Sequence, residues 1–167
     1  MLKTAPAAMK TEHTNISTGN CVLVLWGEHF EEATAAIFTT RLRQAGLCVK
    51  LVGIAGQRPI GKNGLALYPD MPLGEAVRMA ENAVCVILPC SAATLKQVEA
   101  DPRMSDLYRK ARVNGATFVV SKSDSLQKTR LGKMLGNDQA LFAYGTADNL
   151  LTSADELTQN LANLYGM

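Results

Sequence analysis

Short uninterrupted apolar runs alternate along this chain with longer stretches whose apolar residues recur at helical spacing. The first run, CVLVLW at Cys21–Trp26, contains no polar position, the pattern of a strand covered on both faces. A helix is predicted over 30–44, with Ala33, Ala36, Ile37 and Thr40 as its inner face and Gly46 as its stop. A second apolar strand, 48–54, is interrupted only by Lys50. Residues 83–89, AVCVILP, give the clearest buried strand, and 116–121 and the weaker 140–144 give two more.

Between these strands the helical signals are local. A helix is predicted over 73–81. Ser91 is placed to cap a helix carrying Leu95 and Val98. Asp101-Pro102 reads as a fresh helix start, with Met104, Leu107 and Ala111 facing inward. A further helix is predicted over 125–135. Ser153 with Glu156 has the spacing of a capping box for a last helix, whose stripe is Ala154, Leu157, Leu161 and Leu164. Residues 56–72 break the pattern with Gly56, Gly61, Gly64, Pro59, Pro69 and Pro72, and predict a turn, a short strand at 65–68 and another turn.

Strands alternating with helices predict parallel pairing, with helices on both faces of the sheet. The expected architecture is an α/β, flavodoxin-like, doubly wound sandwich around a mostly parallel central sheet. It occupies 20–167 as one domain, behind a flexible tail at 1–19. Ligands in such sheets bind beyond the carboxyl ends of the strands, where strand order reverses. That rule selects residues 27–32, 89–92 and 121–125.

Composition narrows the function classes. A hydrophobic fraction of 47% against 19% charged residues is enough to build a core. The formal net charge of +2 gives no bias toward nucleic acid or a membrane surface, and neither partner is expected. No apolar run reaches the ~20 residues of a membrane span. The first twenty residues lack the continuous apolar core of a signal peptide, so the expected location is cytoplasmic. Cys21, Cys48, Cys85 and Cys90 have no metal-ligand spacing. The first three are read as small hydrophobes inside strands, and disulfides are not expected in a reducing cytoplasm. GEHFEE after the first strand is acidic and repels phosphate, so no flavin, nucleotide or other cofactor is expected. His29 and Glu32 share a helix face, but two ligands make a weak metal site, and no metal is expected.

The segments WGEHFEEATAAIFTTRLRQAG, GKNGLALYPDMPL, VCVILP and NGATFVVS occur in an order and spacing that resemble the ThiJ/PfpI superfamily. The resemblance covers about two thirds of the chain. It implies a homodimer. It also implies a mechanism in which a cysteine at a strained strand end is approached by a glutamate from the first helix, with backbone N–H groups of a glycine pair binding an oxyanion. Carried over residue by residue, the glutamate position holds Thr34, the nucleophile position Ser121 followed by Lys122, and the glycine pair Cys90-Ser91. No histidine follows the strand end.

The reading is therefore a domain that lacks the family's Glu/Cys/His set and binds a small molecule or a partner without catalysis. The expected pocket comprises Glu28, Glu31, Thr34, Cys90, Ser91, Ser121 and Lys122. Two side chains remain candidates for chemistry. Ser121 lacks both a histidine base and the flanking glycines of a nucleophile elbow. Cys90 precedes a helix start, where the dipole lowers a thiol pKa, although nearby carboxylates from Glu28, Glu31 or Glu32 raise it. The alternative function is thus a thiol-dependent hydrolase or glyoxalase-type enzyme, or a redox sensor, acting through Cys90.

Overall fold

A computed structural model describes residues 19–54 and 58–165. All but the last residue of the expected tail, together with His13 and Gly56, lie outside the described residues. Six strands form one sheet: β1 (Cys21–Trp26), β2 (Val49–Gly53), β3 (Met71–Pro72), β4 (Ala83–Ile87), β5 (Thr117–Ser121) and β6 (Leu141–Tyr144). Their order is β3-β2-β1-β4-β5-β6, and every pairing is parallel. The chain winds outward from β1 in one direction and from β4 in the other. The switch point lies between these two strands, as a flavodoxin-like doubly wound sheet requires.

Alternate residues of each strand feed two separate cores. On one face Leu23, Leu25, Val86 and Phe118 pack with residues of α2 (Leu73–Met79), α3 (Ala92–Val98), α4 (Arg103–Val113) and α5 (Arg130–Leu135). On the other, Val22, Val24, Ile87 and Val119 pack under α1 (Glu32–Gln44) and α6 (Leu150–Tyr165). No helix among the described residues is long and apolar enough to cross a membrane.

Several local expectations are corrected. The buried side of α1 is Thr34, Ala35, Phe38, Thr39 and Leu42, whereas Ala33, Ala36 and Thr40 are exposed and Ile37 is half-buried. Phe38 decides the orientation, because one buried aromatic removes ~150–250 Å² from water and outweighs a row of alanines. The strand predicted at 65–68 is absent. The edge of β2 is taken by Met71–Pro72, and Ala66 only makes an isolated antiparallel bridge to Ile60, leaving Leu65 and Tyr68 exposed. The helix predicted over 125–135 divides into a 3-10 turn, Asp124–Lys128, and α5, because the Thr129 hydroxyl accepts from Gly132 N and starts a new helix. Ser153 lies inside α6, which begins at Leu150, so it forms no capping box; Leu164 is exposed, and Leu150 joins Ala154, Leu157 and Leu161 on the buried stripe. Cys48 is exposed, just ahead of β2.

Candidate functional site

The switch point sets the geometry. Beyond Trp26 the chain turns through Gly27 and Glu28 to His29, whose φ of 63° is the left-handed conformation that non-glycine residues rarely hold. Neighbouring backbone fixes this turn. His29 N donates to Ile60 O at 2.9 Å, Lys62 N to Phe30 O at 2.9 Å, and Glu31 N to Pro89 O at 2.7 Å. Trp26 and Phe30 stack beneath it with ring centroids 5.1 Å apart. The carboxyl ends of β1 and β4 are thereby tied to each other and to the loop around residue 61.

Glu32 organises that loop. Its Oε1 accepts from Asn63 N at 2.7 Å and Leu65 N at 3.2 Å, and its Oε2 accepts from Asn63 Nδ2 at 3.1 Å. Burial works to raise its pKa, but these donors and its own backbone N–H outweigh that and leave the carboxyl below its ordinary value. The glycines of GKNG acquire separate reasons. A Cβ on Gly61 would fall 2.1 Å from the Glu32 carboxyl carbon, and Gly64 sits at φ +87° with its N–H closing the turn onto Gly61 O at 2.9 Å.

Glu31, one residue earlier, faces an open cleft of about 620 Å³. Its Oε2 accepts from the Thr34 hydroxyl at 3.0 Å and from the Tyr144 hydroxyl at 3.0 Å. The partner in β6 is 113 residues away in sequence. Burial first, then the Glu31 charge and this hydrogen bond, push the Tyr144 phenol well above its ordinary value. Ser121 pairs with Tyr144 in the β5–β6 register, and Lys122 N donates to Tyr144 O at 2.8 Å. Lys62, Asn63, Gly145, Thr146 and Leu150 complete the rim of the cleft.

Of the expected pocket residues, Glu31, Thr34, Ser121 and Lys122 line this cleft. Glu28, Cys90 and Ser91 do not. Glu28 turns to the opposite side of the loop, where its Oε2 accepts from Ile60 N at 3.1 Å. Ser91 is spent as the α3 cap, accepting from Thr94 N at 3.2 Å and donating to Thr94 Oγ1 at 3.1 Å. Cys90 is 5% exposed and belongs to the α2–α5 core. Its thiol is pushed up to about 12, by burial first and then by the carboxylates of Glu31 and Glu99. The expected lowering by a helix start is therefore corrected: desolvation and two negative charges outweigh the dipole of a seven-residue helix. Cys90 N–H donates to Leu88 O at 2.9 Å and is committed within its own turn rather than to an incoming oxyanion.

Sequence reasoning passed over Tyr144, Lys62, Asn63 and Glu99. Glu99, 3% exposed, is a buried carboxylate whose charge acts on the Cys90 thiol. Its Oε1 accepts from the Tyr108 hydroxyl at 3.1 Å and Leu131 N at 3.1 Å, and its Oε2 from Arg130 N at 2.6 Å. The signal for Tyr144 was its place as the last residue of a strand, where polar tips reach the ligand end of the sheet. Among the described residues no cluster of three or more His, Cys, Asp or Glu could hold a metal ion.

Solved structures of similar fold include several DJ-1 and ThiJ/PfpI superfamily proteins. Oxidised DJ-1 from Toxoplasma gondii superimposes with a TM-score of 0.74 at 14% identity, over 87% of this chain and 92% of that one. A cysteine-to-alanine mutant of a DJ-1 superfamily protein from Salmonella typhimurium gives 0.67 at 18% identity, over 86% and 91%. A ThiJ/PfpI domain protein from Brachyspira murdochii gives 0.66 at 14% identity, over 86% and 96%. The chain thus has the DJ-1/ThiJ/PfpI fold. No protein-family profile and no curated protein matches it in sequence.

Proposed function

We propose that this chain is a divergent DJ-1/ThiJ/PfpI-like protein that binds a small polar molecule in the cleft at the carboxyl ends of its strands, without the thiol chemistry that the resemblance implies. Fold alone does not fix function, so the reading rests on the site. The observation that carries it is the state of Cys90, which is buried, flanked by carboxylates and held protonated at neutral pH. Ser121 supports the same reading, since the sequence supplies no histidine after it and the side chains lining its cleft include none. What the cleft does offer is recognition. Glu31 is pre-oriented by two hydroxyls, and Lys62 and Lys122 line the same cleft. Such a rim suits a ligand that combines an anionic group with a hydrogen-bond donor.

A thermal-shift screen of small amino- and hydroxy-carboxylates tests this. A ligand present at a hundred times its Kd stabilises the fold by ~2.7 kcal/mol. Its effect should be lost in Glu31→Gln combined with Lys122→Ala. Shifts that persist in that double variant place binding elsewhere. The rival reading, a thiol enzyme or redox sensor using Cys90, requires a reactive Cys90 and is tested separately below. The homodimer implied by the resemblance is proposed at the outward face of α1. There Ala36, Ile37 and Thr40 form an apolar groove with Leu151, which is 52% exposed. Light scattering of Ile37→Asp should report a monomer; a dimer that persists moves the interface elsewhere.

A further inference from the structure

A second reactive feature lies at the opposite, amino end of the sheet and does not depend on the cleft reading. β1 and β2 run parallel, and their ladder opens at Val22 opposite Val49, one step above Cys21 and Cys48, with β1 irregular against β4 between Cys21 and Val22. Val22 N donates to Cys48 O at 2.8 Å, which carries the ladder down to this pair. The two faces of the strands confirm that both thiols project to the same side. Val22 and Val49 pack in the α1–α6 core, whereas Cys21, Val52 and Ile54 pack in the other, and alternation puts Cys48 on the side of Val52 and Ile54. Paired neighbours in a sheet lie ~4.8 Å apart, within the Cα separation of about 4.4–6.8 Å that a disulfide needs.

Exposure divides the roles. Cys48 is exposed, while Cys21 is 2% exposed beneath it. An oxidant meets Cys48 first, and the sulfur standing beside the product is that of Cys21. We propose that Cys21 and Cys48 form a reversible redox dithiol in which a hydroperoxide oxidises Cys48 and Cys21 closes the disulfide.

The Cys48 thiolate attacks the peroxide oxygen and becomes a sulfenic acid, expelling hydroxide or alkoxide as the O–O bond breaks. The Cys21 sulfur then displaces hydroxyl from that sulfenic acid, forming the S–S bond and releasing water. In sum, two thiols lose two electrons and two protons, and one hydroperoxide is reduced to water and an alcohol, or to two waters from hydrogen peroxide. A dithiol reductant reverses the bridge by exchange. The Cys21 thiol is pushed up to about 11, by burial first and then by Cys48, with Lys50 opposing. Closure therefore follows the slower second step and quickens as pH rises. Both thiols are free in this structure, and the bridge is the pair's second state under the proposal.

The test exposes the full chain to hydrogen peroxide, blocks remaining thiols by alkylation and analyses the intact protein and its tryptic peptides by mass spectrometry. The expected product lacks the mass of two hydrogens, joins peptide 11–41 to peptide 44–50, and reverts with dithiothreitol. Cys48→Ser, at an exposed position, should fold normally and form no bridge. Cys21→Ala should leave Cys48 to accumulate sulfinic and sulfonic acid. The proposal is overturned if wild-type Cys48 gains oxygen at the same rate as in Cys21→Ala with no cross-link. It is equally overturned if the bridge joins Cys48 to Cys85, to Cys90 or to a second chain.

Discussion

If Cys90 is held protonated by its surroundings, its reactivity should be suppressed by an amount that follows from its environment. At pH 7 an ordinary thiol, with a pKa of about 8.5, is roughly 3% thiolate. With its thiol pushed up to about 12, the thiolate fraction of Cys90 falls to about one in 10⁵, some three thousandfold lower. A more basic thiolate is also a better nucleophile, and a Brønsted slope of ~0.4–0.5 over this interval returns about fortyfold. The net expectation is a reaction roughly a hundredfold slower than that of a free thiol, before any hindrance from burial. The assay is the rate of an aromatic disulfide reagent at Cys90, followed peptide by peptide against a small free thiol. Between pH 7 and 10 the Cys90 rate should climb about tenfold per pH unit without levelling, whereas an ordinary thiol levels off above about 8.5. Glu31→Gln removes a flanking charge and should accelerate the reaction, because the amide oxygen can still accept from Thr34 and Tyr144. Reaction at pH 7 within threefold of the free thiol would refute the reasoning and revive the thiol enzyme.

Three further outcomes follow from the same contacts. The thiols of Cys21 and Cys90 have raised pKa values in the fold, so the stability they contribute is complete below the unfolded value of about 8.5 and is lost as pH rises toward about 11 and 12. Urea midpoints should therefore fall from pH 8 to pH 10 at constant m-value; an unchanged midpoint would show that these thiols are not desolvated. Glu32 has a lowered pKa, so its hold on the loop is complete above the usual carboxylate range of about 4.3 and is released as pH falls through its folded value. Hydrogen exchange at Asn63 and Leu65 should lose protection in Glu32→Ala at neutral pH, and equal protection would remove the anchor. Glu99→Ala leaves the buried Tyr108 hydroxyl and two backbone N–H groups without their acceptor, which costs ~1–3 kcal/mol for each group that water cannot reach. A double-mutant cycle with Tyr108→Phe should give a coupling of at least ~0.5 kcal/mol, and strict additivity would contradict the contact.

The strands at Cys21–Trp26, Ala83–Ile87 and Thr117–Ser121 were legible because a segment buried on both faces must be apolar throughout. Ser91 was legible as a cap because its hydroxyl satisfies an N–H only three residues away. Where the apolar signal was weak, pattern reading failed. In α1 the alanines and threonines leave Phe38 and Leu42 to set the buried face, and 65–68 looks like a strand until β3 occupies the available edge.

The sequence by itself determined that this is a parallel α/β sheet, while the placing of Thr34, Cys90-Ser91 and Ser121 at the family's reactive positions is what the resemblance implies. Those properties depend on side-chain size, polarity and short-range capping, which are written locally. Only the tertiary structure decided which carboxylate faces the cleft, which thiol is hidden and which two thiols stand side by side. Glu31 is oriented by a tyrosine 113 residues away, Cys90 is buried in a core where the charges of Glu31 and Glu99 act on it, and the β1–β2 register brings Cys21 near Cys48. Desolvation and long-range pairing act between segments that only folding brings together.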